Sequence, residues 1–399
     1  MTATIESRIS GETQDLPKRV DLARQISPEV YAKEREAIFR RAWFPICHTH
    51  ELPAKGSYLV YDIPTLELSL LVTRGQDDRI RVFHNVCRHR GNKLVRDGSG
   101  VASSFACNFH GWVFGGDGAL KVVTDEVQFD SLDKGCLGLI PVTTEVWETF
   151  VFVNLEPEPS TTLQAWLGPI HGQYAGYFEQ HEKIASYQAV VNCNWHLAVN
   201  AFTEGYHTLY LHKSTARDYQ GGRSNPKRRR PSIELFERHH RYSAPGNPDH
   251  RVLEGERIAI KFGRKMIPAF DFDMTGMPPG INASRHDHWA FDVVELFPNF
   301  VMLTGNHWHN EMRFWPLDAG RTLIVNQGWA YRARNLGERA SRTYFRSRVR
   351  DVFREDLNTL EAQQSTLRSG VLPEVVLSRQ ELALQHHYKV TWEMLGGRP

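Results

Sequence analysis

The sequence predicts an α+β protein in two domains, and three observations carry that prediction. The chain has 399 residues, enough for two substantial cores. Short β-branched and aromatic runs bounded by turn residues fall in two groups, one from Ser57 to Leu155 and one from Ala290 to Tyr331. Helical patterns accompany them, one entered at Ser27 and two closing the chain.

The elements follow in order. Residues 1–26 are polar and read as an extended arm. Ser27, Pro28 and Glu29 supply an N-cap, a proline at the first helical position and an early acid. They predict a helix to about Arg41 with Tyr31, Ile38 and Ala42 on its apolar side. SYLVYDI, LELSLLVTR and RIRVFHNV read as strands, and WETFVFVNL closes the group. Asp97-Gly98 and the glycine-rich 115–118 mark turns in a small antiparallel sheet. EPEPS, Glu156 to Ser160, reads as a linker. The divisions are therefore an N-terminal arm and helix at 1–40, a first domain at 41–157 and a second at 158–399. The second opens with a helix around Leu163 to Tyr177, a strand AVVNC and a helix from about Asn194. The stretch from Gly221 to Arg251 reads as loop, and it contains Lys227-Arg228-Arg229-Arg230. Strands AFDVVELF, FVMLTGNHW and TLIVNQGWAY follow, then a helix from about Arg342 to Ser369 and another entered at the capping box Ser378-x-x-Glu381.

Charge is balanced, 48 basic against 46 acidic residues, which excludes a broad nucleic-acid or anionic-membrane footprint. No run of eighteen apolar residues offers a membrane span, and the polar N-terminus lacks the apolar core of a signal peptide. Five cysteines without regular spacing argue against a disulfide framework and for a reducing, cytoplasmic setting.

Two stretches carry chemistry. Cys87-x-His89 and Cys107-x-x-His110 are separated by seventeen residues. Two thiolates and two imidazoles suit either a tetrahedral zinc ion or a two-iron cluster with cysteines on one iron and histidines on the other. Gly91 and Gly111 after the pairs allow tight turns, and Trp112 offers a cover against water. The absence of Cys-x-x-Cys knuckles weighs against zinc.

The second stretch is NAFTEGYHTLYLH. Asn200, Glu204 and His207 fall on one face of a regular helix, while His212 lies about 140° from His207. The helix must end or distort if both histidines are to reach one metal. Two histidines and an acid suit a facial triad for non-haem iron. In the penultimate helix Asp356 interrupts an apolar stripe of Phe345, Val349, Val352, Phe353, Leu360 and Leu367. A lone acid there calls for a cation, which makes Asp356 the third candidate ligand. Glu355 and Glu361 point elsewhere, about 100° and 140° around the helix.

CRHRG…CNFHGW resembles the [2Fe–2S] segment of the Rieske-type non-haem iron oxygenases, in their large (α) subunit. Glu204-x-x-His207-x4-His212 and Glu355-Asp356-x4-Glu361-x-x-Gln364 resemble that family's iron-site motifs. The resemblance implies a cluster held by Cys87, His89, Cys107 and His110, and an Fe(II) held by His207, His212 and Asp356. It implies a small antiparallel β-sandwich followed by a helix-grip-like catalytic domain, an antiparallel sheet covered by helices. It also implies electrons from NAD(P)H through a reductase and possibly a ferredoxin, and a homotrimer or α3β3 assembly. In that assembly Glu204 bridges His207 to the cluster of a neighbouring subunit, and Asn200 is a candidate water-holding group. Glu204 stands where ring-hydroxylating members most often have Asp, and Phe109 where tyrosine is frequent.

The expected reaction is dihydroxylation or monohydroxylation of a hydrophobic ring compound, with Phe291, Phe297, Phe300 and Trp308 lining the cavity. The alternatives are a monooxygenase or demethylase acting on an amine or ether, and a cluster-only electron carrier. The length of the chain and the His207/His212/Asp356 set argue against the carrier. The 227–230 run reads as a solvated loop or as a dock for an acidic electron donor. His239-His240, His286-x-His288 and His386-His387 read as ordinary polar groups of the surface or core.

Overall fold

The structure, a computed structural model, describes residues 9–216, 218–223, 225–226, 231–263 and 274–397, without the side chains of 23 and 24. The basic run 227–230 lies outside the described residues. Two compact units result, 39–166 and 1–38 with 167–399.

In unit 39–166 a seven-stranded antiparallel sheet runs Phe44–His48, Phe150–Asn154, Pro141–Trp147, Ile80–His84, Leu68–Arg74, Ser57–Ile63 and Ser99–Val101. A three-stranded sheet, Leu120–Val122, Val113–Gly115 and Ser104–Ala106, completes a small β-sandwich. Leu71 and Phe83 from the first sheet and Phe105, Phe114 and Leu120 from the second share one core, into which Cys87 and Cys107 are also buried. The loop after Ile80–His84 and the turn between Ser104–Ala106 and Val113–Gly115 carry the two Cys/His pairs.

The other unit is built on an eight-stranded sheet ordered Ile9–Ser10, Ser232–Leu235, His240–Pro245, Trp289–Leu296, Phe300–Gly305, Trp308–Asp318, Arg321–Tyr331 and His181–Val191. Its pairs are antiparallel except the first. Ser232–Leu235 and His240–Pro245 correct the reading of 221–251 as loop throughout. Their polar side chains are buried (Arg241 on Glu234 at 2.8 Å, Ser243 on Asp292 at 2.5 Å), so the apolar alternation that marks a strand is missing.

The helix Leu336–Leu367 packs on His181–Val191, burying Phe345 among Trp308, Ala330 and Tyr331. It begins six residues before the expected Arg342, because Asn335 caps the Glu338 N–H at 2.9 Å. Its first turns bury Glu338 and Ser341, which leave no apolar repeat to read. Ser27 caps Pro28–Glu34 as expected, and the helix continues through a π-type turn to Phe39. The Ser378/Glu381 capping box is formed ahead of Leu382–Met394. The expected helix at 163–177 is instead a short α segment, Leu163–Leu167, run into a 3-10 turn at Gly168–Gly172 with Pro169 at its start.

Four of the histidines read as ordinary polar groups, His239, His240, His386 and His387, sit in the core of this unit. His387 bridges Glu295 (2.6 Å) and His196 (2.7 Å), and His196 reaches Glu34 at 2.7 Å. His240 lies 3.2 Å from the other oxygen of Glu295 and faces the His386 ring at 5.7 Å. Burial, with Lys389 and His387 nearby, pushes His386 down to about 4. A histidine depressed in the folded state stabilises the fold fully above its unfolded value near 6.5 and loses that contribution as pH falls toward 4. The melting temperature is expected to fall across that window and to fall less in His386→Gln; an equal fall in both, followed by circular dichroism, contradicts this.

Candidate metal centres

The two Cys/His loops are built alike. Gly91 N–H bonds to Cys87 O (3.0 Å) and Gly111 N–H to Cys107 O (2.9 Å). Cys87 N–H then closes on Asn92 O and Cys107 N–H on Trp112 O, both at 2.8 Å. Both glycines hold positive φ, 76° and 72°, the left-handed region that lets each loop turn back on its cysteine. The turns bring the His89 and His110 rings to 4.6 Å between centroids, with Trp112 stacked on His89 at 4.8 Å. Asn92 Nδ2 lies 3.6 Å from the Cys107 sulfur.

The Nδ1 of His89 is buried with no hydrogen-bond partner among the described residues, as expected of an atom kept for a ligand. Cys87 and Cys107 are buried together in the core of this unit, and the two imidazoles face each other beside Trp112. Two cysteines and two histidines on paired loops are the donor set of a two-iron cluster with the cysteines on one iron and the histidines on the other.

In the other unit His207, His212 and Asp356 do converge. His207 Nε2 lies 3.1 Å from His212 Nε2, and Asp356 Oδ1 lies 3.5 and 3.2 Å from the two nitrogens. Ligands about 2.1 Å from a metal and 90° apart are about 3.0 Å from each other, so the triangle matches one face of an octahedron.

The helix expected to carry Asn200, Glu204 and His207 on one face does not run through. It ends at Asn200 (Trp195–Asn200), and a separate turn, Thr208–Leu211, lies between the histidines. Two features break it. The Glu204 carboxylate accepts the N–H groups of Tyr206 and His207, competing with helical bonding. Gly205 lies so close to the Tyr242 hydroxyl that a Cβ would sit 2.0 Å from it.

Glu204 Oε1 is 2.5 Å from His207 Nδ1, and Glu355 Oε2 is 2.9 Å from His212 Nδ1. Thr215 Oγ1 donates to the same Glu355 oxygen at 2.6 Å. With each Nδ1–H donated outward, both Nε2 lone pairs and Asp356 Oδ1 face one another. Burial raises the Asp356 pKa, against the pull of His212 and His207, and its Oδ1 has no hydrogen-bond donor among the described residues. Three acceptors aimed at one point repel unless a cation joins them, and that fits a metal.

Glu355 is the residue that sequence reasoning passed over. Its 100° offset turns it out of the apolar stripe and onto His212. The Glu-Asp doublet was the available signal. Glu355→Gln is expected to weaken Fe(II) binding about 10–100-fold, measured by competition with a chelator; unchanged affinity would remove its role in orienting His212.

Asn200 Nδ2 donates to the Tyr388 hydroxyl at 2.6 Å, and its buried Oδ1 has no partner among the described residues. A cavity of about 100 Å³ reaches His207, His212 and Asp356, with Phe291 and Trp308 in its wall. Phe297 and Phe300, also expected there, are not. Leu303 faces the cavity, so Phe300, three residues away on the same strand, faces the opposite side under Arg313. Phe297 lies beyond the end of its strand and packs near His387.

Residues 178–397 match the model of the ring hydroxylating alpha subunit (catalytic domain), and residues 42–134 match the Rieske [2Fe–2S] domain. The chain is 29% identical over 354 residues to the carnitine monooxygenase oxygenase subunit of Acinetobacter baumannii, covering 86% of this chain and 83% of that one. It is 33% identical over 201 residues to the large oxygenase component of the naphthalene 1,2-dioxygenase system of Pseudomonas aeruginosa. That match covers 48% of this chain and 44% of the relative, less than half of the relative's length. The crystal structure of naphthalene 1,2-dioxygenase from Rhodococcus sp. bound to indole shares the fold, with a TM-score of 0.76 at 20% identity over 96% of this chain and 95% of that one. The chain belongs to the family of ring-hydroxylating alpha subunits, oxygenases that join a Rieske [2Fe–2S] domain to a catalytic domain binding mononuclear iron.

Proposed function

We propose that the chain is the terminal oxygenase component of a system that uses O2 to hydroxylate a hydrophobic ring compound, by dihydroxylation or monohydroxylation. The observation that carries this is the aromatic-walled cavity reaching His207, His212 and Asp356. In this reading those three residues hold the iron, and Cys87, His89, Cys107 and His110 hold the cluster. Bound at the triad, iron supplies open coordination positions for O2.

The protein's own part is orientation and exclusion of water. Glu204 and Glu355 fix the two imidazoles by their Nδ1–H groups, and the apolar wall holds the ring substrate beside the triad. Asn200 Oδ1, without a partner among the described residues and near Glu204 and His207, is a site for an ordered water.

Glu204 is also proposed to accept a bond from a cluster histidine of a neighbouring subunit, in a homotrimer or an α3β3 assembly. Its Oε2 already accepts two backbone N–H groups, so that contact falls to remaining lone pairs. Electrons are proposed to come from NAD(P)H through a reductase and possibly a ferredoxin. All five cysteines are unpaired, which suits the reducing cytoplasm proposed for it. No helix among the described residues is long and apolar enough to cross a membrane.

A second reading, oxidation of a quaternary amine, is favoured by the carnitine monooxygenase relative. The test is turnover under ¹⁸O2 with a reductase and NADH, with indole, toluene and L-carnitine as probes. Labelled hydroxylated ring products support the proposal. Oxidation of L-carnitine alone transfers support to the second reading, and loss of all three products removes both.

A further inference from the structure

The two cysteine loops match in their backbone but not in the side chains that reach their sulfurs. The N–H groups of His89 and Arg90 bond to the Cys87 sulfur, and those of Phe109 and His110 bond to the Cys107 sulfur. Cys107 has in addition an amide side chain beside it, with Asn92 Nδ2 3.6 Å from its Sγ. Sulfur is larger than oxygen, so an N–H···S bond is longer than an N–H···O bond. Among the described residues no amide or hydroxyl side chain bonds to the Cys87 sulfur.

Asn92 is held for that contact from both loops. Its carbonyl accepts the Cys87 N–H at 2.8 Å, which fixes its backbone at the close of the first loop. Its Nδ2 donates to Asn108 Oδ1 on the second loop at 2.8 Å and to the Lys93 carbonyl at 3.0 Å. A carbonyl can only accept, so the nitrogen of the Asn92 amide, and not its oxygen, is the end that faces these groups and the sulfur. Two hydrogens meet three acceptors. A ligating sulfur carries negative charge, and it is the acceptor that gains most from the bond. Cys107 is buried, where such a bond is electrostatically stronger than in water.

We infer that Asn92 is a positioning residue for electron transfer: its Nδ2–H, aimed at Cys107 Sγ, raises the reduction potential of the [2Fe–2S] cluster. This rests on the placing of the cluster at Cys87, His89, Cys107 and His110 proposed above. Reduction adds one electron, and no bond forms or breaks, so the cluster and its ligand sulfurs become more negative. A donor fixed on one of those sulfurs stabilises the reduced form more than the oxidised one, and hydrogen bonds to the sulfurs are among the features that set such potentials. Asn92 thereby acts through Cys107 on how readily the chain takes up an electron.

The experiment is a redox titration of the purified, cluster-loaded full chain with dithionite as reductant, followed by the visible absorption of the cluster. Asn92→Leu and the smaller Asn92→Ala both remove the donor. Each is expected to lower the reduction equilibrium about three- to tenfold, the range of one hydrogen bond, which is about 30–60 mV at about 59 mV per tenfold for one electron. Asn108→Ala removes the tie between the loops and leaves the Asn92 donor, so its potential is expected to stay at or above the wild-type value. An unchanged or raised potential in the Asn92 variants overturns the tuning role. An equal fall in Asn108→Ala, or failure of both Asn92 variants to assemble a cluster, also overturns it and leaves Asn92 as a strap between the loops. A wild-type chain reconstituted with iron and sulfide that holds no acid-labile sulfide removes the cluster from Cys87, His89, Cys107 and His110, and the role of Asn92 with it.

Discussion

Asp356→Ala is expected to lose the mononuclear iron, keep the cluster, and lower turnover more than about 10³-fold. The carboxylate supplies the only negative ligand atom in the triad, 3.5 and 3.2 Å from the two imidazole nitrogens. Removing it leaves two neutral nitrogens and an apolar void, and two imidazoles hold Fe(II) poorly. The several kcal/mol of stabilisation that a bound metal gives a reaction correspond to a rate factor of that size. The cluster should be untouched, because its four proposed ligands belong to the other unit. Metal analysis beside a turnover assay checks both halves of the prediction; iron retained at the wild-type level would remove Asp356 from the ligand set.

Glu204→Gln is expected to separate metal binding from activity. The amide oxygen can still accept from His207 Nδ1–H, so at saturating iron both metals should remain bound. The amide nitrogen, however, would meet the N–H groups of Tyr206 and His207, which Oε2 now satisfies. Donor would face donor, and the turn between Asn200 and His207 would loosen. The negative charge proposed to link His207 with a neighbouring cluster would also be gone. Turnover is expected to fall at least about 10²-fold. A fully active Gln variant with normal iron content would contradict the bridging role of Glu204.

How much of this was legible follows from the kind of signal each part leaves. The Cys87/His89 and Cys107/His110 pairs are local, so spacing alone exposed them, together with the positive-φ glycines that shape their loops. Asp356 was legible because an acid interrupting an apolar stripe breaks the helical pattern.

The helix from Asn194 was misjudged past Asn200 because periodicity takes no account of a side chain that bonds its own backbone, as Glu204 does. The strands at Ser232–Leu235 and His240–Pro245 were hidden because their inward residues are arginine, serine and histidine. Such residues are buried only by virtue of partners such as Asp292 and Glu295, far away in sequence. Glu355 shares that cause: it matters through a contact with His212 that the folded chain creates.

The measurement that tests the central claim most directly is an iron and acid-labile sulfide count, with an EPR spectrum of the reduced protein. One [2Fe–2S] cluster and one mononuclear site predict about three irons and about two sulfides per chain. The reduced cluster should show the low average g of mixed histidine and cysteine ligation. Two irons and two sulfides, with nothing further bound after iron is supplied, would contradict a metal centre at His207, His212 and Asp356.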